Sequence, residues 1–113
     1  MSGKAVLEAF IARGDEIAAV FAAPERPGAR PDPLVAAAQE RSLTIHRFAK
    51  YSSAEAQSAL ADLKADLGVM AYVLLFAPSE FCAIPKHGMI QFHPSLLPLH
   101  RGASSIPLSL IHI

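Results

Sequence analysis

The chain has little cysteine, few aromatics and no charge excess of either sign. It holds one cysteine, no tryptophan, two tyrosines and six phenylalanines in 113 residues. A lone Cys82 excludes an internal disulfide framework and fits a reducing compartment. Ten basic and ten acidic residues cancel, which argues against a chain that lives on phosphate backbones or an anionic membrane surface. No run approaches the roughly 20 apolar residues of a membrane span. The opening MSGKAVLEAF lacks the long apolar core and small-residue cleavage site of a secretory signal. His46, His87 and His100 stand at no metal-ligand spacing with Cys82, so packing or surface roles are expected and no metal. The expectation is a cytoplasmic protein with neither membrane nor DNA as partner. What the chain does have is apolar content, 52%, which is enough for the packed core of one small domain.

Helix-like and strand-like segments alternate, which predicts a layered α/β domain. Val6, Leu7, Phe10 and Ile11 recur at helical spacing up to Gly14. EIAAVFAA then reads as a buried strand ending at Pro24. Asp32 followed by Pro33 forms an N-cap and first helical position for LVAAAQERS, since proline's absent donor costs nothing there. LTIHRF reads as a strand, and Ser52 to Glu55 has capping-box spacing for a helix whose Ala56, Leu60, Leu63 and Leu67 share one face. LGVMAYVLLF is the most apolar stretch and reads as a central parallel strand. Pro78 and Pro85 bracket a short helical piece, and GMIQFH supplies the next strand.

Both ends depart from this pattern. An open parallel sheet starts with a strand, whereas the chain opens on a helix, so a first strand is expected upstream and its two neighbours are expected to lack a partner. LSLIHI, Leu108 to Ile113, is apolar and uncapped, and it is also the translation of one frame of a sequencing-library transposon end, CTGTCTCTTATACACATC. The domain is therefore expected over residues 1–107, with 108–113 as adapter read-through. The competing reading of the same residues is the start of an ordinary helix after Pro107.

The segment IQFHPSLLPLHRG, Ile90 to Gly102, carries the chemistry. Pro94 and Pro98 remove two backbone donors, so the chain leaves the sheet at or just after His93. Residues i and i+2 of a strand share a side, so Gln91 and His93 are expected to project together at the strand's C-terminal end, where open α/β sheets place ligands.

FHPSLLPLHRGAS resembles the motif of the folate-dependent formyltransferases, which include methionyl-tRNA formyltransferase and the hydrolase domain of 10-formyltetrahydrofolate dehydrogenase. APERPGARPDP is similar to that family's Pro-Asp-Arg-Pro loop, and MAYVLLFAP to its Val-Ala-Tyr-Gly-x-Ile-Leu-Pro segment. The resemblance implies a Rossmann-like, open, mostly parallel sheet with helices on both faces, incomplete at both ends. It implies transfer of a formyl group from 10-formyltetrahydrofolate, as co-substrate, to an acceptor amine, in the manner of methionyl-tRNA formyltransferase with initiator methionyl-tRNA as acceptor. The hydrolase and sugar-amine members are the alternatives, and the 113-residue chain by itself is expected to be inactive. Formyl transfer passes through a tetrahedral species whose oxygen becomes negative while the attacking amine becomes positive, so the site needs an oxyanion donor and a group that moves a proton. By resemblance His93 is the proton-handling residue and Gln91 the carbonyl and oxyanion donor. The backbone of Ala71, Tyr72, Val73, Leu74 and Leu75, with Ser95, Leu96, Leu97 and Pro98, would line the folate pocket. Arg101 and Gly102 would meet the acceptor.

Three features depart from the family pattern. Gln91 stands where most members carry asparagine, which moves the amide by roughly 1 Å or more. The family's aspartate falls beyond Pro107. The loop after Pro24 keeps only Arg26 and Arg30 of the basic loop that methionyl-tRNA formyltransferase presents to tRNA. Structural roles compete for several residues: Gln91 satisfying backbone groups, Ser95 capping a turn, Arg101 anchoring its loop, and Cys82 serving as a small buried hydrophobe. A dinucleotide-binding domain shares the α/β alternation, but no Gly-x-Gly-x-x-Gly follows a strand. An inert truncated polypeptide is the remaining reading.

Overall fold

A computed structural model describes residues 3–71, 77–92 and 107–112. Its first helix, α1 (Gly3–Ala12), ends as its sequence suggests. Gly14 takes φ 90°, its N–H donates to Ile11 O at 2.9 Å, and the Asp15 N–H donates to Phe10 O at 3.1 Å. That pair of bonds is a Schellman closure, which needs a left-handed residue after the helix. Strand β1 (Glu16–Ala22) follows directly. Helix α2 (Pro33–Glu40) is opened by Asp32, whose Oδ1 accepts from the Leu34 N–H at 2.9 Å, with Pro33 in the first turn. Strand β2 (Ile45–Arg47) is short.

Helix α3 (Ala54–Leu63) begins one residue later than its capping-box spacing predicts. Ser53, not Ser52, is the cap: its Oγ accepts from the Ala56 N–H at 3.2 Å while its hydroxyl donates to Lys50 O at 3.0 Å. Lys64 in the left-handed region, φ 51°, closes the helix, so Leu67 is not on its apolar face. Leu67 instead starts β3 (Leu67–Ala71). The short α4 (Ser79–Cys82) sits between the two bracketing prolines, and β4 (Met89–Phe92) follows. The last strand, β5 (Pro107–His112), replaces the helix start that is the competing reading of this segment.

All the strand pairs are parallel, in the order β2-β1-β5-β3-β4. Strands β1 and β3 both pair with β5, because each offers a row of open backbone donors and acceptors that an extended apolar segment satisfies. Helices cover both faces. Val6, Leu7 and Phe10 of α1 and Leu34, Ala37 and Ala38 of α2 pack with Ile17, Val20 and Val69. On the other face, Ala56 and Leu60 of α3 and Phe81 of α4 pack with Ala19, Phe21 and Tyr51. Strict alternation would not put Ile17 and Val20 on one face. The register of β1 on β5 shifts between Ile17 and Ala19, and this bulge turns Ile17 to the side of Val20.

Between β3 and β4 the Met89 side chain lies over Gly68, so a larger residue there would require that side chain to shift. A Cβ on Gly68 would lie 2.7 Å from Met89 Cγ, and Met89 is its register partner.

Candidate active site

Because every pair is parallel, the C-terminal ends of the strands share one edge of the sheet. Ala71, the last residue of β3, is the register partner of Phe92, the last of β4. By resemblance, the folate pocket and the proton-handling residue would fall on the residues that follow these two strands in sequence, from Tyr72 and from His93. Gln91 pairs with Met70 and is exposed. It lies two residues after Met89, which packs on the α3 and α4 side of the sheet, so its amide belongs to that side. His93, Tyr72, Val73, Leu74, Leu75, Ser95, Leu96, Leu97, Pro98, Arg101 and Gly102 lie outside the described residues.

At the same edge, beyond the ends of β1 and β2, is a cavity of about 380 Å³ lined by Pro24, Arg26, Arg30, Asp32, Gln39 and Arg47, among others. Its wall is held by Arg47, which sequence reasoning missed. The Arg47 guanidinium donates through Nη1 to Ala23 O at 3.1 Å, and Nη2 lies 3.1 Å from Glu25 Oε1. One side chain thus ties the loop after β1 to the end of β2. The available signal was parallel pairing: Arg47 ends a strand that lies beside β1, with Ala22 as its partner. Arg26 and Arg30 are exposed and make no ion pair among the described residues. With Arg47 they face Glu25 and Asp32 in the lining, so the cavity carries charge of both signs.

Beneath this edge is an aromatic cluster. The Phe21 ring lies 5.2 Å from His46, 6.1 Å from Phe48, 6.4 Å from Tyr51 and 6.0 Å from Phe81, and Tyr51 stacks on Phe81 at 4.8 Å. His46 therefore has the packing role expected of it. Tyr51 is fully buried and its hydroxyl has no hydrogen-bond partner among the described residues. Burial pushes its phenol well above the ordinary range, so it stays neutral. A buried hydroxyl without a partner costs about 1–3 kcal/mol. Tyr51→Phe is accordingly expected to raise the urea midpoint, with m unchanged, by about 1 kcal/mol of stability; a loss of stability would show that the hydroxyl is bonded in solution.

Cys82 is half-buried rather than fully buried as expected, because α4 is a single short turn that leaves one side open. Its thiol donates weakly to Ala77 O at 3.8 Å, and burial pushes its pKa up, away from thiolate reactivity. No group of three His, Cys, Asp or Glu side chains suited to a metal occurs among the described residues. Nor is any described helix long and apolar enough to cross a membrane.

A doubly wound parallel sheet with its candidate residues at the C-terminal strand edge defines the class of α/β proteins that bind small ligands outside that edge. Within that class the chain belongs to the formyl transferase family, whose model matches residues 4–112. It is 40% identical over 106 residues to the methionyl-tRNA formyltransferase of Jannaschia sp. (strain CCS1), covering 89% of this chain and 35% of that protein. It is 34% identical over 114 residues to the mitochondrial 10-formyltetrahydrofolate dehydrogenase of Mus musculus, covering 96% of this chain and 12% of that protein. To the cytosolic 10-formyltetrahydrofolate dehydrogenase of Homo sapiens it is 39% identical over 106 residues, covering 88% and 11%. The chain thus spans about a third or less of the length of these relatives.

Proposed function

We propose that the whole protein transfers the formyl group of 10-formyltetrahydrofolate to an acceptor amine, and that the acceptor is methionyl-tRNA. The observation that carries the reading is the family match over residues 4–112, which takes in the Gln91-Phe92-His93 and Ser95-Leu96-Leu97-Pro98 motif. In this reading the folate lies along the backbone from Ala71 to Leu75 and against Ser95 to Pro98. Gln91 donates to the formyl oxygen as the carbonyl carbon becomes tetrahedral, where a fixed donor lowers the barrier most. His93 takes the proton released by the attacking amine and returns it to the departing folate nitrogen. Arg101 and Gly102 position the acceptor.

One observation supports the tRNA acceptor: the 40% identity to a methionyl-tRNA formyltransferase. A second reading, a 10-formyltetrahydrofolate hydrolase with water as acceptor, is favoured by the dehydrogenase relatives and by a loop with only Arg26 and Arg30 to offer a polyanion. A sugar amine is the further acceptor class.

The test is ligand stabilisation of the whole protein. A stable 10-formyltetrahydrofolate analogue at about 100 times its Kd is expected to add about 2.7 kcal/mol of stability by mass action, read as a rise in Tm. No shift with the analogue, together with a rise with a nicotinamide dinucleotide, would move the protein to the dinucleotide-binding class. Formate release without acceptor, equal in rate to formyl transfer onto charged initiator tRNA, would select the hydrolase reading.

A further inference from the structure

We propose that Arg47 is a positioning residue for the acceptor: its guanidinium braces the loop between β1 and α2 over the cavity at the end of β2, and the braced loop holds a part of the acceptor that lies far from the reacting amine. This role rests on the formyl-transfer reading, since a remote subsite matters only to an acceptor large enough to reach it.

Every residue from Pro24 to Pro31 is exposed, so core burial does not fix the path of this loop. Prolines at 24, 27 and 31 restrict φ, and the Ala29 N–H donates to Arg26 O at 3.1 Å around Gly28, whose φ is 75°. These features stiffen the loop internally but do not set where it points. At its far end Asp32 caps α2. At its near end the fork of Arg47 spans two loop residues, meeting Ala23 O through Nη1 and Glu25 Oε1 through Nη2, each at 3.1 Å. Among the described residues no other ion pair reaches the loop. A stiff segment tied at both ends is ordered before its ligand arrives, which removes an ordering cost from binding.

The brace adds little to stability, because the Glu25 side chain is 78% exposed and exposed ion pairs are weak. What it sets is the shape and charge of the cavity. Arg26 and Arg30 line it from the loop, and Val35, Ala36 and Gln39 line it from α2. Arg47 also neutralises Glu25, a lining carboxylate that would otherwise repel an anionic occupant. The cavity is well removed from Gln91. In the order β2-β1-β5-β3-β4 the strands of Arg47 and Gln91 are four steps apart, about 19 Å at the usual spacing of about 4.8 Å. Water or a small amine held at Gln91 leaves the cavity untouched, whereas a charged tRNA is long enough to meet both.

Steady-state formyl transfer by the whole protein to charged initiator tRNA tests this, with formate release in the absence of acceptor as the control. Arg47→Ala is expected to raise the KM for the tRNA roughly three- to tenfold, as loss of a preordered loop does. It should leave kcat, formate release and the Kd of a folate analogue within about twofold, and Tm within about 3 °C of the parent's. Glu25→Ala is expected to raise the same KM, because it cuts the same brace, and the double variant should be no worse than Arg47→Ala alone. A fall in KM for Glu25→Ala would overturn the proposal, since Arg47 would then act as a bare charge on the acceptor and not through the loop. Arg47→Lys is expected to fall between the parent and Arg47→Ala, because an ammonium lacks the fork that makes both contacts; full recovery would overturn the brace as well. Transfer to the tRNA with an Arg47→Ala protein indistinguishable from the parent sinks the brace alone. A parent protein that releases formate but transfers none to the tRNA overturns the acceptor reading, and this role with it.

Discussion

In the whole protein, His93→Ala is expected to abolish formyl transfer while leaving folate affinity within a few fold. A positioned proton-transfer group contributes typically about 10²–10⁴ in rate. The imidazole acts where the amine becomes cationic and has little to do in the ground state, so kcat should carry the loss and the folate Kd should not. Gln91→Asn is the companion experiment. Gln91 is on β4, exposed, two residues before His93, so shortening its side chain disturbs no core packing and displaces only the amide donor. A shift of that donor by roughly one C–C bond changes how well it meets the developing oxyanion. The ratio of transfer to hydrolysis is expected to move more than folate binding does. Single-turnover assays with labelled formyl donor read both. Equal turnover in the wild-type protein and both variants would remove this pair from the chemistry.

Much of the framework could be read from residues whose local physics admits one outcome. Asp32 before Pro33 and Gly14 after Ile11 specify helix ends through donors and acceptors close in sequence, and both appear as expected. Ser52 and Ser53 stand side by side, and each has a plausible partner three residues on, so the choice between them depends on where Tyr51 is buried, which is a tertiary fact. The bulge at Ile17 to Ala19 was invisible for a different reason. EIAAVFA is apolar toward both faces, so no polar residue marks a change of side. The same holds for Leu67, which continues the helical spacing of Ala56, Leu60 and Leu63 although Lys64 has already turned the chain. Of the candidate site, the family motif and the place of Gln91 on a strand were legible. Arg47 was not, because its value lies in a loop 24 residues earlier in the chain, and only the pairing of β2 with β1 brings the two together.

Phe21→Ala is expected to have the largest effect on stability of any single substitution in the described core. Phe21 is fully buried in β1, and its ring lies within 6.4 Å, centroid to centroid, of His46, Phe48, Tyr51 and Phe81. These neighbours come from β2, from the turn before α3 and from α4, so the ring joins segments that are distant in sequence. Truncating a buried phenylalanine typically costs about 3–5 kcal/mol, transfer term and cavity together, and a domain of this size is stable by only about 5–15 kcal/mol. The variant should therefore lose about a fifth or more of the margin, read as a fall in the urea midpoint of the whole protein. Tyr51→Phe should move the other way, because it keeps the ring that stacks on Phe81 and removes only a hydroxyl without a partner among the described residues. Since Phe21 and Tyr51 are in contact, the double variant should depart from the sum of the two singles by about 0.5 kcal/mol or more. Strict additivity, or a Phe21→Ala cost below about 1 kcal/mol, would mean that the cluster does not hold β1, α3 and α4 together.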